Sequence, residues 1–243
     1  MPEKILVFDI WGDYAHFRKN YSTSSPLTYS FPPRTALSGL IGAIAGLDKE
    51  DYFRHFSKDD AWIGCKIIEP VKKIRISENL LDTKKSKVKI NAKSKTAILR
   101  IKNRFRVRFE SVKAPKYRIY FSCSDNHFLE RFRGLLANHQ SVYTPCLGLS
   151  HHICNFQFVG EFRLKKCGED FSFIDSVIPS KCILEVDFNE GMKYFSEVMP
   201  NVMGEAREVT EYSEVLFESN GNKIRARARG LWEAENGERI VFL

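Results

Sequence analysis

Apolar positions cluster at Ile5, Leu6, Val7, Phe8 and Ile10, and this run predicts a first strand from Lys4 to Trp11. An aromatic and polar turn fills Gly12 to Tyr29. Pro32-Pro33 then suits the start of a helix whose body is Arg34 to Leu47, in which Ala36, Gly39, Gly42, Ala43 and Gly46 offer small residues for close packing on a sheet. A second strand covers Ala61 to Ile76, and after a polar excursion a hairpin is predicted from Leu99 to Ser122. Phe128, Leu129, Phe132, Leu135 and Leu136 recur at helical spacing behind a capping Asp125, which predicts a helix ending near Asn138. Beyond it the chain is mostly strand-like, with turn signals at Gly168, Pro179, Gly191 and Asn220-Gly221.

The order β-α-β-β-α lacks only the closing strand of a ferredoxin-like β-α-β-β-α-β unit, and Phe156 to Leu164 either supplies that strand or starts a second sheet. The expected class is therefore α+β, with a ferredoxin-like domain over residues 1–142 and a smaller β-rich region over residues 143–243. RNA-recognition folds share this topology and offer aromatics and cations on the sheet face to unstacked bases, but fold alone does not give function. A chain of 243 residues, 43% hydrophobic and 28% charged, builds a real core and is not disordered. The longest apolar stretch, Ala36 to Leu47, is too short to span a bilayer. The start lacks the basic and apolar regions of a signal peptide, so a cytoplasmic protein is expected.

Charge changes the picture. The net charge of +8 is not spread evenly: Lys66 to Arg118 holds 18 Lys and Arg against four acids, while the rest of the chain is net acidic. No Phe, Trp or Tyr occurs between Trp62 and Phe105, so part of this basic segment leaves the core. Its middle, Asp82 to Lys95, is Lys-rich and polar and reads as a projecting hairpin or loop. After it, Arg100, Lys102, Arg104, Arg106 and Arg108 alternate with Leu99, Ile101, Asn103, Phe105, Val107 and Phe109, the period-2 pattern of a half-buried strand. Same-face neighbours about 7 Å apart repel unless something negative is near. The expected hairpin partner, Lys116 to Phe121, is itself basic, which leaves a phosphate backbone as the favoured ligand.

A second basic strand serves as a control. Lys223, Arg225, Arg227 and Arg229 alternate with Ile224, Ala226, Ala228 and Gly230, and a type I′ turn at Asn220-Gly221 sets Glu218 opposite Lys223 and Glu214 opposite Arg227. This strand reads as a structural ion-pair ladder. The six cysteines form no Cys-x-x-Cys pair and read as reduced, packed thiols. His151, His152 and Cys154 lack a fourth ligand, and the helix glycines match no phosphate loop, so no metal or cofactor is expected.

Three motifs occur in order: Phe8-Asp9-Ile10-Trp11-Gly12-Asp13-Tyr14-Ala15-His16-Phe17-Arg18, then Tyr29-Ser30-Phe31-Pro32-Pro33-Arg34-Thr35-Ala36-Leu37-Ser38-Gly39-Leu40-Ile41-Gly42-Ala43, then Tyr143-Thr144-Pro145-Cys146-Leu147-Gly148-Leu149-Ser150. Together they resemble family five of the CRISPR-associated proteins, closest to its type I-B (Hmari-like) branch, over the N-terminal 160 residues. The resemblance implies a RAMP-type domain and a place in Cascade, the RNA-guided surveillance complex of type I CRISPR immunity. It further implies a grip on the 5′ handle of the CRISPR RNA, contacts with the backbone and large subunits, and an indirect relation to target DNA. A basic β-hairpin thumb would map onto residues 72–98, with Lys84, Lys85, Lys87, Lys89, Lys93 and Lys95.

Other residues fit RNA on physical grounds. Arg34, Thr35 and Ser38 fall in the first turns of a helix, where free N–H groups and the dipole attract phosphate. Trp11, Tyr14, His16 and Arg18 are placed to stack on or contact bases, each aromatic stack being worth about 1 to 3 kcal/mol, although Trp11 and Phe17 stand even between that role and the core. Tyr143 reads as a packing residue of a turn. The competing class is a metal-independent endoribonuclease processing precursor CRISPR RNA, as in the type I-C branch, with Tyr, Lys and His acting on a 2′-hydroxyl. Tyr14, His16, His151 and His152 are possible members of such a site but align on no such triad, and type I-B systems use a separate family-six endonuclease. A noncatalytic RNA binder is therefore expected. A DNA-binding regulator would need a groove-entering element, and both predicted helices belong against a sheet.

Overall fold

The computed structural model describes residues 2–22, 25–48, 55–81, 104–204 and 206–243. The chain opens with β1 (Lys4–Trp11), a two-residue β2 (Tyr14–Ala15), α1 (Arg34–Ala45) and β3 (Ala61–Ile67). Next come β4 (Lys73–Leu81), β5 (Arg104–Lys113), β6 (Lys116–Cys123), α2 (Asn126–Ala137) and β7 (Asn155–Lys166). The remainder is short strands: β8 (Ser172–Ile174), β9 (Ile178–Pro179), β10 (Ile183–Asp187), β11 (Tyr194–Met203), β12 (Val209–Glu218), β13 (Ile224–Ala228), β14 (Leu231–Ala234) and β15 (Arg239–Val241). The molecule is mostly β, and its two described α-helices are the ones the sequence predicts. Asp125 caps α2 as expected, its carboxylate accepting the Phe128 N–H at 3.0 Å.

The main sheet runs β15-β14-β7-β1-β6-β3, every pair antiparallel. β1 sits inside it because both its faces are apolar. Leu6, Phe8 and Ile10 join a core with Leu37, Ile41 and Ile44 of α1 and Phe132 and Leu136 of α2. Ile5 and Val7 pack on the other side with Tyr120 and Ile240. The long β7 pairs with β1 and further along carries β14 in the same six-stranded sheet, so of the two alternatives left by the sequence it does not start a second sheet. The boundary expected at residues 142 and 143 does not separate one core from another: Leu147, Phe156, Val177, Met199 and Phe217 belong to the same cluster as Phe8 and Leu37.

The sheet face opposite the helices is not open as in an RNA-recognition fold. Ile240 lies on it, with Trp232 and Phe242 beside it. The outer edge of β3 is also used, the Ile63 carbonyl accepting from the Leu243 N–H and the Cys65 carbonyl from the Val177 N–H. Beneath this cover lies a charge network. Arg118 grips Asp9 with two donors and reaches Glu238 at 3.0 Å, while Lys66 holds Glu238 at 2.9 Å and Asp175 at 2.8 Å.

Three expectations need correction. The strand expected over Ala61 to Ile76 is a pair of strands in different sheets, interrupted around Pro70, whose missing N–H cannot continue a ladder. The hairpin expected over Leu99 to Ser122 does not form either, because β5 pairs with β4 and β2 whereas β6 pairs with β1 and β3. The turn at Asn220-Gly221 joins strands of separate sheets, β12 pairing with β11 and β9, and β13 with β10 and β8. Gly221 has φ 83°, and a Cβ there would lie 2.6 Å from the Ile67 carbonyl oxygen, so the turn seats on the end of β3 only as glycine.

Candidate nucleic-acid interface

In the small sheet β2-β5-β4, the antiparallel register sets Arg108 opposite Ser77, Arg106 opposite Asn79 and Glu110 opposite Arg75. Directly opposite residues share a face, so Arg75, Arg106 and Arg108 project together with Ser77 and Asn79, all exposed. Among the described residues no carboxylate lies within 4.0 Å of these three guanidiniums, and Glu110 instead accepts the Thr28 N–H at 3.2 Å. The face thus sets three arginines against the single carboxylate of Glu110, which is turned to the Thr28 N–H, and stays net positive, although the partner strand is β4 and not the expected Lys116 to Phe121. Arg104 belongs to β5 by its backbone. Arg100, Lys102 and the thumb lysines Lys84, Lys85, Lys87, Lys89, Lys93 and Lys95 lie outside the described residues.

The other face of this hairpin rests in places on the body. His16 is 2% exposed, its Nδ1–H donates to the Glu110 carbonyl at 2.7 Å, and its ring meets the Phe109 edge. Burial lowers the His16 pKa against the pull of that carbonyl. His151 Nε2 lies 3.2 Å from Glu78 of β4, and its ring meets the buried His152, whose pKa is lowered by burial and by His151. Gly148 in the same loop has φ 95°, and any Cβ there would overlap the His16 carbonyl. His16 therefore anchors the hairpin rather than facing bases, a correction to its expected placement. Tyr14 is half-buried beside His152, and Arg18 is exposed with Nη2 3.4 Å from the Ser22 carbonyl.

Arg34 and Ser38 also turn inward. Arg34 is 3% exposed, and its Nη2 donates to the Ser57 and Ala61 carbonyls at 3.0 Å. Ser38 is buried and donates to the Arg34 carbonyl, while Thr35 stays half-exposed. The Arg34 and Ser38 side chains are thus committed to the protein's own carbonyls, which removes them from any phosphate-facing surface.

Trp11 emerges at the end of β1, half-buried, on an open cleft of about 840 Å³. Lys72, Lys113 and Lys116 line it, with the Lys116 Nζ 5.8 Å from the indole centroid. Asp13 and Glu69 are its acids. Sequence reasoning missed Arg75 and these lysines. The charge count includes them, but no periodic pattern marks them.

The control ladder holds as structure with other partners. Arg225 pairs with Asp187 at 2.6 Å, Arg227 with Glu185 at 3.5 Å, Arg229 with Glu169 at 4.0 Å and Lys223 with Asp175 at 3.2 Å. Glu218, expected opposite Lys223, is buried and accepts the N–H groups of Lys193, Asn220 and Asn222. All six cysteines are free, and burial pushes the Cys154 thiol up to about 12. Among the described residues no group of three His, Cys, Asp or Glu side chains is arranged to hold a metal, and no helix is long and apolar enough to cross a membrane.

Solved structures share this architecture. A crystal structure of a CRISPR protein from Archaeoglobus fulgidus is 15% identical, with 98% of this chain and 97% of that one covered and a TM-score of 0.55. A chain of a CRISPR RNA-guided surveillance complex is 10% identical, with 91% of each chain covered and a TM-score of 0.55. At such identities the likeness speaks for the fold. No curated protein matches the sequence. A family model described as CRISPR-associated protein (Cas_Cas5) matches residues 5–135, more than half of the sequence, and the chain belongs to that family.

Proposed function

We propose that this protein is a noncatalytic CRISPR RNA-binding subunit of a type I, Cascade-type surveillance complex, of the I-B branch. In this reading it grips the 5′ handle of the CRISPR RNA in the prokaryotic cytoplasm and bridges the backbone and large subunits. The observation that carries it is the exposed face of Arg75, Arg106 and Arg108, three guanidiniums with no carboxylate in contact among the described residues, on a member of this family. Such a face is electrostatically costly alone and is stabilised by a phosphate backbone. Strands β7-β1-β6-β3 with α1 and α2 are read as the ferredoxin-like RAMP core, their spatial order being that of a β-α-β-β-α-β unit. β4 and β5 are read as the stem of the thumb, held to the body near its base by β2.

Burial of His16 and His152 supports a noncatalytic role. A general acid or base must reach the reacting 2′-hydroxyl, and of the three histidines considered only His151 is exposed, where it faces Glu78. The test is fluorescence anisotropy with a CRISPR repeat RNA at several salt concentrations. Arg106→Ala with Arg108→Ala is expected to weaken binding and flatten the salt dependence by about 0.7 per lost phosphate contact. Unchanged affinity would remove this face from the site. The same RNA, incubated without metal and run on a denaturing gel, is expected to stay intact. A discrete cut at the handle boundary would replace this reading with the endoribonuclease.

A further inference from the structure

The cleft at Trp11 holds charges of both signs that do not satisfy one another. Among the described residues Lys72, Lys113 and Lys116 have no carboxylate within 4.0 Å, and Asp13 and Glu69 have no cation within that distance. Phosphate alone explains only half of this arrangement, because two carboxylates repel it. A bare apolar ligand explains none of it. A nucleotide explains all three elements: an aromatic face to stack on the indole, an anion for the lysines, and donors for the carboxylates. An open space of about 840 Å³ is large enough for one nucleotide.

The carboxylates also select among bases. Adenine, cytosine and guanine carry exocyclic amines that donate to Asp or Glu, whereas the single N–H of uracil is flanked by two carbonyl oxygens that a carboxylate repels. We propose that this cleft captures one unstacked nucleotide of the bound RNA, its base stacked on Trp11 and its exocyclic amine donated to Asp13 or Glu69. The inference rests on the RNA-binding reading above. It also assigns a division of labour, in which the β4–β5 arginines hold the backbone without regard to sequence and the cleft reads one base.

The test uses octauridine and three octamers with one central adenosine, cytidine or guanosine, measured by anisotropy with the intact chain. The substituted octamers are expected to bind several-fold to about tenfold more tightly than octauridine. Trp11→Leu is expected to lower affinity for the substituted octamers about tenfold. Asp13→Ala with Glu69→Ala should act in the opposite sense on octauridine, binding it more tightly by relieving repulsion, while erasing the preference. Both carboxylates are exposed, so this variant folds even if Trp11→Leu does not. Equal binding of all four octamers by the unaltered protein, or a preference that survives loss of both carboxylates, overturns the proposal. If Arg106→Ala with Arg108→Ala weakens binding but neither cleft variant does, the base site falls and the RNA-binding reading stands. If the unaltered protein binds none of the octamers but still binds the CRISPR repeat RNA, the cleft falls and the RNA-binding reading stands; if it binds neither, both fall.

Discussion

Arg34 shows how a single side chain can be right in place and wrong in direction. The Pro-Pro-Arg-Thr stretch marks a helix start, and α1 begins at Arg34. Its guanidinium nevertheless points into the protein, donating to carbonyls of Ser57 and Ala61 and approaching that of Asn201 at 3.4 Å. Burial lowers its pKa to about 10, so it remains a cation at neutral pH. Asn201 lies in β11, 167 residues along the chain, and no local pattern announces that this strand covers the start of α1. Arg34→Ala is expected to destabilise the protein by about 2 to 4 kcal/mol in chemical denaturation, because buried carbonyls lose their donors. The salt dependence of RNA binding should be unchanged in the folded variant. A flatter slope would return Arg34 to the RNA surface.

At the scale of elements, alternation in the sequence identifies both basic strands and their faces, since a period of two depends only on neighbours. Register is not legible. Which strand lies opposite depends on long-range pairing, and both hairpins expected from adjacency are absent: β5 turns from β6 to β4, and β13 turns from β12 to β10 and β8. The contrast between the strands persists because charge balance, unlike register, is a property of whichever partners arrive. Each strand carries its own prediction. Arg227 and Glu185 are 43% and 58% exposed in their side chains, so solvent screens the pair and Arg227→Ala should cost no more than about 0.5 kcal/mol, without loss of RNA affinity. Gly221→Ala should cost more, about 1 to 3 kcal/mol, because it strains a positive φ and meets the Ile67 carbonyl. Thermal unfolding that ranks these two variants the other way would mean that the turn does not seat on β3.

Across the whole molecule, titratable groups buried between elements set the response to acid. His16 ties β5 to the body, and the groups around it are Arg18, Glu78, Glu110 and His152; His152 feels His151 and Glu78 in turn. Both histidines have pKa values lowered from 6.5, chiefly by burial. The unfolded chain therefore takes up protons first, and stability that is complete above pH 6.5 declines as pH falls through the interval down to the folded values. A second decline belongs to Glu197 and Glu238. Burial would raise their pKa values, but the Ser30 N–H with Lys73 and Lys19 overcomes it for Glu197, and Lys66 with Arg118 and Asn236 overcomes it for Glu238. Their contribution is present above pH 4.5 and is lost as pH falls further, when protonation breaks the pairs joining β11 to the Lys19 loop and β4 and the C-terminal strands to β3 and β6. The melting temperature should accordingly fall in two stages between pH 8 and pH 3. His152→Gln should shrink the upper stage and leave the lower one in place. A single step below pH 4.5 would mean that His16 and His152 are as free to protonate in the folded protein as in the unfolded chain, and that the two segments carrying them do not pack on the base of the arginine hairpin.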